Sequence, residues 1–293
     1  VYIGVASIGT GIKTTMAQVA AQELAIDPER ITVITGDTQV CPPSPLGSVS
    51  SRSAPVGNAA VRLAARKVRD KLLRLAAHLL EAAPQDVELT EDRAIVRGSP
   101  ERGLAISELA AAAHRAWDMP AGLEPGLLEH AGYDPEHVTF SYGVHAVIVE
   151  IDRDTGDVAL QRYVVVHDCG PLVNPTIVEG QVRGGIAQGL GAALLEELRF
   201  DDQAQPQTTS LMDYMIPLAT SMPDIDILHT EVPSPFTPDG AKGCGESGAI
   251  PSAPAIVAAV EDALAPFNAT LRSIPVTPET IWQAMNADST SSR

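Results

Sequence analysis

Aromatic residues make up only 4% of this 293-residue chain, and cysteine is scarcer, with three residues. Cys41, Cys169 and Cys244 lie far apart, and no C-x-x-C pair occurs. That argues against an iron–sulfur cluster or structural zinc of the chain's own, and a reducing compartment, the cytoplasm, is the expected setting. No run of about eighteen apolar residues is present, so no membrane-spanning helix is expected. Basic residues are outnumbered, 20 against 37 acidic, and the net charge of -17 speaks against a nucleic-acid or anionic-membrane surface. The seven histidines show no H-x-x-x-H spacing and read as structural, His167 included.

What remains is a loop-rich globular composition: 45% hydrophobic residues, chiefly aliphatic, with 23 glycines and 23 prolines. The chain opens with an alternating strand pattern at Val1, Ile3 and Val5, then Gly9-Thr10-Gly11, then a helical face of Met16, Val19, Ala20 and Leu24. An opening in core strand suggests a fragment, or a subunit whose fold another chain completes. "RITVITGDT" reads as a second strand ending at Gly36-Asp37, and residues 41–57 as irregular. A helix is expected over 58–83, with Arg62, Arg66, Lys67, Arg69, Lys71 and Arg74 as its solvated side. A hairpin at 87–98 and a short helix near 106–117 follow. Two strands flank the Asp152–Gly156 turn, and a glycine-punctuated helix then leads into a strand. The tail from 285 reads as frayed. The predicted class is mixed α/β (α+β) in two lobes, 1–130 and 131–293.

Strand, glycine loop, helix is a layout that binds phosphate. A Walker loop, however, needs glycine directly before its lysine, and here Ile12 separates Gly11 from Lys13. A Rossmann fingerprint lacks its third glycine and its acidic ribose ligand. Amides around Gly9–Gly11 still favour an anionic or polar ligand, with a ligand-free tight turn as the alternative.

The second half carries D-x-G-x-x-x-N-P within "HDCGPLVNP", E-G-Q-x-x-G-G-x-x-Q-G-x-G within "EGQVRGGIAQGLG", D-Y-x-x-P within "DYMIP", and G-A-K-G-x-G-E within "GAKGCGE". With these ordered motifs the chain resembles the molybdenum-binding subunit of the xanthine oxidase/aldehyde oxidase family, the C-terminal half of that subunit. "SIGTGIKTTMAQ…GDT…GSVSSRS" in the first half is similar to the same family.

The resemblance implies hydroxylation of an aldehyde or N-heteroaromatic carbon with water-derived oxygen. It implies a molybdenum–molybdopterin cofactor, with the cytosine dinucleotide form left open, and molybdenum held through the pterin and not by side chains. It also implies partners: the N-terminal half of the molybdenum subunit, an iron–sulfur subunit and an FAD subunit, assembled as a hetero-oligomer acting on a small molecule. Glu246 takes the role of general base, and a glycine-lined segment suits close approach to a cofactor. Gln188 matches a cofactor-bonding glutamine; the alternative is a plain helix-surface residue. Ile8, Gly9 and Thr10 match a pterin-contacting loop, with Ser7 and Thr10 departing from the family's usual Glu and Gln. Gly47, Ser48, Ser50, Ser51 and Arg52 match the segment that wraps the pterin and its phosphates. Cys244, Cys169 and Cys41 read as packing residues, and Lys242 as either an anchor for the Glu246 loop or an exposed side chain. Substrate identity is not legible. Two other readings stay open: a non-catalytic structural or maturation partner, and a phosphate-binding module using the first loop alone.

Overall fold

A computed structural model of the chain describes residues 1–44 and 46–290. They form a mixed α/β fold in two compact units: Val1–Thr139 with Ser234–Lys242, and Phe140–Pro233 with Gly243 onward.

In the first unit, β1 (Tyr2–Ile3) and β2 (Ile34–Thr35) pair in parallel. Both are shorter than the alternating pattern promised, and Gly36, at φ +74°, turns the chain away directly after β2. Helix α1 (Ile12–Leu24) buries Met16, Val19 and Ala20 and packs along α2 (Ala59–Leu79). The stretch before α2 is irregular as far as Arg52, but Ser53–Asn58 forms one π-helical turn leading into the helix. Strands β3 (Val87–Thr90) and β4 (Arg93–Val96) make the expected hairpin, and β5 (Ser99–Ala105) adds a third antiparallel strand. Leu72, Leu75 and Ala76 of α2 pack with Val87, Ala94 and, from α3 (Ile106–Arg115), Leu109 and Ala113 into one core.

The basic side of α2 is not simply solvated. Arg62 and Lys71 are buried, Arg62 at 9% exposure, because acids from elsewhere in this unit reach them. Glu23 of α1, only 6% exposed, accepts from Arg62 Nη1 at 2.5 Å and Arg66 Nε at 3.2 Å, with Arg69 Nη1 at 3.6 Å. Lys71 pairs with Glu129 at 3.3 Å. Burial alone would raise the Glu23 carboxyl; hydrogen bonds and charge from Arg62 and Arg66 outweigh it and hold the group below its ordinary range.

In the second unit, β6 (Tyr142–Ile151) and β7 (Val158–Asp168) run antiparallel, and β8 (Ile225–His229) lies parallel to β7 after a crossover through α4 (Pro175–Leu190). Asn174 caps α4, its side chain accepting from Ile177 N at 3.0 Å, with Pro175 pre-set for the first turn. Tyr163 and Val165 turn inward onto Val182, Ile186 and Leu190 of α4 and Ile256, Val260 and Leu264 of α5 (Ala249–Leu264). The opposite face of the sheet leaves Val144, Ile148, Val166 and Leu228 open to solvent.

Two further expectations need correction. Among the described residues no regular strand follows α4 directly, before β8; only an isolated bridge joins Phe200 to Pro206, because the chain turns back at Asp201, whose Oδ1 accepts from Gln203 N and Gln205 N. The expected frayed tail is instead helical through α6 (Pro278–Thr290), with Met285 packed against the core; residues 291–293 lie outside the described ones. Among the described residues, no helix is long and apolar enough to cross a membrane.

Candidate active site

In the first unit, the glycine loop and the serine-rich segment are tied together. The Ser48 hydroxyl donates to the Ala6 carbonyl. Gly9 sits at φ +96° with open space where a side chain would be, and Gly11, at φ +70°, starts α1 with no side-chain cap. The helix therefore opens with amides that no side chain satisfies, a setting that favours negative charge. Ile8 is 65% exposed. The Thr10 hydroxyl is buried without a hydrogen-bond partner, a state that costs about 1–3 kcal/mol unless a ligand supplies one. Ser50 and Ser51, at φ +50° and +52°, and Gly47, at φ +60°, give the second loop its tight course. Arg52 Nη1 donates to Gly47 O at 3.1 Å, so its guanidinium braces this loop from within.

The second unit holds Gln188 and Glu246. Gln188 is exposed on α4, and Glu246 is exposed just ahead of α5. The Glu246 carbonyl accepts from Ala249 N at 3.1 Å and Ile250 N at 3.0 Å, and this turn starts the helix. Glycines of α4 let the two helices meet backbone to backbone: a Cβ at Gly185 would lie 2.6 Å from Ala249 N, and one at Gly189 would overlap Ser252 Oγ. The G-G-x-x-Q-G motif thus has a packing reason for Gly185 and Gly189, and it brings the segment carrying Gln188 against the helix that Glu246 precedes. Ser247 Oγ reaches Ser141 Oγ at 3.0 Å.

Lys242, for which an exposed reading stood open, is buried. It ends the Ser234–Lys242 stretch of the first unit, which is held by its own bonds: Ser234 N to Gly240 O at 2.8 Å and Thr237 Oγ1 to Ala241 O at 3.0 Å.

Of the cysteines, Cys169 is buried and Cys41 and Cys244 are half-buried. Cys41 Sγ donates to Ile34 O at 3.3 Å.

The histidines form a group that sequence spacing concealed. His145 of β6, His167 of β7 and His229 of β8 occupy one end of the sheet's inner face. His145 Nδ1 and Tyr163 Oη share a hydrogen bond of 2.7 Å, and the His167 and His229 rings meet edge to face at 5.8 Å. His167 is 1% exposed; burial, the His229 charge and, to a lesser degree, the His145 charge push its pKa down to about 4 against the opposing pull of Asp168. It is a neutral imidazole at ordinary pH. Among the described residues, no group of three or more His, Cys, Asp or Glu side chains is arranged to hold a metal ion.

The residues present fit an anionic, hydrogen-bonding organic cofactor: an orphaned buried hydroxyl at Thr10, an uncapped helix start, and hydroxyl-rich loops. The family described as "Molybdopterin cofactor-binding domain" matches residues 1–223. The nicotine 6-hydroxylase large subunit of Paenarthrobacter nicotinovorans is 42% identical over 96% of this chain and 34% of its own length. The carbon monoxide dehydrogenase large chain of Hydrogenophaga pseudoflava is 40% identical over 97% of this chain and 35% of its own. Among solved structures, quinoline 2-oxidoreductase from Pseudomonas putida 86 superposes with a TM-score of 0.88 at 42% identity, covering 96% of this chain and 36% of that one. The chain therefore spans about a third of the length of the relatives it matches.

Proposed function

The chain belongs to the molybdopterin cofactor-binding domain of the xanthine oxidase family of molybdenum hydroxylases, and on that premise we propose that it carries the catalytic base of a water-dependent hydroxylase. The observation that carries this reading is the Glu246 turn, a carboxylate on a glycine-flanked segment at the head of α5, backed by the glycine face of α4.

When bound, the cofactor supplies the redox centre and the water-derived oxygen. Binding, orientation and proton transfer fall to the residues of this chain. The amides that open α1 and the Thr10 hydroxyl bind the pterin, the 47–52 loop donates to its polar and phosphate groups, and the Gln188 amide orients it. Arg52 acts through the loop it braces, and Ser7 and Thr10 stand in for the longer side chains usual in the family. Glu246 takes the proton from the attacking oxygen as that oxygen bonds to carbon.

The substrate is an electron-poor ring carbon of an N-heteroaromatic. Relatives named for nicotine and quinoline chemistry support that choice over an aldehyde. The rest of a large subunit, an iron–sulfur subunit and an FAD subunit complete a cytoplasmic assembly, and the pterin is of the cytosine dinucleotide form.

The test is Glu246→Gln in the assembled complex. Molybdenum content is expected to stay at the parent level while turnover falls about 10²–10⁴-fold, the range of a lost general base. Near-parent turnover overturns the assignment. The departures at Ser7 and Thr10 favour a second reading, a non-catalytic partner, and a correctly assembled parent complex free of molybdenum would establish it.

A further inference from the structure

Glu246 stands among glycines, with Gly243 and Gly245 before it and Gly248 after it. Glycine backbone carries no side chain to pack and has the widest conformational freedom, so such a segment keeps one position only where outside contacts fix it. Its own hydrogen bonds are local: Ser247 N donates to Cys244 O at 3.2 Å, and Ala249 N and Ile250 N donate to Glu246 O at 3.1 and 3.0 Å. They shape the turn without deciding where it sits.

Contacts from beyond the turn, within the same unit, supply that seat. On one side Gly248 presses on α4, where a Cβ would come within 2.3 Å of the Val182 carbonyl oxygen. On the other, Ser247 Oγ donates to Ser141 Oγ at 3.0 Å, across 106 residues of sequence. Ser141 directly precedes Tyr142, which opens β6 and pairs with Asp168 of β7, so the acceptor is mounted at the end of a paired strand. Both serines are half-buried, whereas Glu246 is exposed. The bond is thus partly shielded from competing water while the neighbouring carboxylate stays accessible.

We propose that Ser141 and Ser247 are positioning residues for Glu246: their hydroxyl–hydroxyl bond ties the glycine-flanked turn to the end of β6 and sets where the carboxylate stands. The inference rests on Glu246 as the base, and it asks of the serines only geometry, since a displacement of about 1 Å at a reacting group is costly.

The experiment compares the assembled parent complex with Ser141→Ala, Ser247→Ala and Ser141→Thr. By hydrogen–deuterium exchange, both alanine variants are expected to exchange the amides of the 245–250 turn about 3–10-fold faster, the worth of one hydrogen bond, with those of α4 unchanged. Parent-like exchange in the alanine variants overturns the tie. The threonine variant keeps a hydroxyl and should match the parent; a threonine variant as loose as Ser141→Ala assigns the effect to packing and overturns the hydrogen-bond role. With the N-heteroaromatic that the parent turns over fastest in a panel containing nicotine and quinoline, Ser141→Ala should lower kcat about 3–10-fold at unchanged KM. In a Glu246→Gln background the same change should lower kcat no further, because the group being positioned is gone. An equal loss in both backgrounds overturns the positioning role. Near-parent turnover of Glu246→Gln alone sinks the base assignment instead, and the exchange measurement still decides the tie.

Discussion

Gly185 of α4 lies so near Ala249 of α5 that a methyl group on the glycine would come within 2.6 Å of the Ala249 nitrogen. The obstructing atoms are backbone and cannot swing aside. Gly185→Ala is therefore expected to destabilise the fold by about 1–3 kcal/mol, despite the ~1 kcal/mol that alanine gains over glycine within a helix. Gly184, one position along, faces open space, and Gly184→Ala should be neutral or stabilising by up to ~1 kcal/mol. Denaturant titration of the two variants checks the pair, and equal effects would show that contact with α5 does not set the glycine requirement.

Thr10→Val separates ligand binding from stability. The hydroxyl is buried and unpartnered, so its removal should leave the cofactor-free fold unchanged or firmer. Cofactor retention should drop roughly 5–10-fold, the worth of one hydrogen bond. Thermal melts and molybdenum content of the same preparations read the two effects.

Glu23→Gln leaves Arg62 buried without its closest carboxylate. A loss of about 3–5 kcal/mol is expected, as for breaking one partner of a buried ion pair. The folded-state pKa of Glu23 is depressed, so its contribution is present above the ordinary carboxylate pKa and disappears as pH falls through the folded value. The acid limb of a stability–pH curve should accordingly be shallower in the variant than in the parent.

His167 acts at higher pH. Its pKa falls from the ordinary 6.5 to about 4 on folding, so between those values the unfolded chain binds the extra proton. Stability should be fully present above about pH 6.5 and decline towards pH 4, by about 3 kcal/mol at most. The groups that face it are His145 and His229, which oppose its charging, and Asp168, which favours it. His167→Phe should flatten this part of the curve; an unchanged slope would assign the loss to another group.

Helical periodicity made α1 and α2 legible from the residues alone, and the Asp152–Gly156 turn marked the strands on either side of it. Local patterns could not reveal partners supplied from elsewhere. Arg62 reads as a solvent-facing helix charge until Glu23, 39 residues away, is seen beside it. His145, His167 and His229 come together only through strand pairing, which no linear spacing encodes. The tail reads as frayed on composition, yet Met285 finds apolar contact in the second unit. The candidate site residues were legible chiefly through motif resemblance, because glycine and hydroxyl loops leave no periodic trace. The solitary Thr10 hydroxyl needed three dimensions.

The outward side of β6–β7–β8 has a practical consequence. Val144, Ile148, Val166 and Leu228 give water a contiguous aliphatic surface, of the kind that seeks cover. Expressed alone, this length of polypeptide should self-associate as its concentration rises, and co-production with the remainder of a large subunit is the sounder route to a tractable sample.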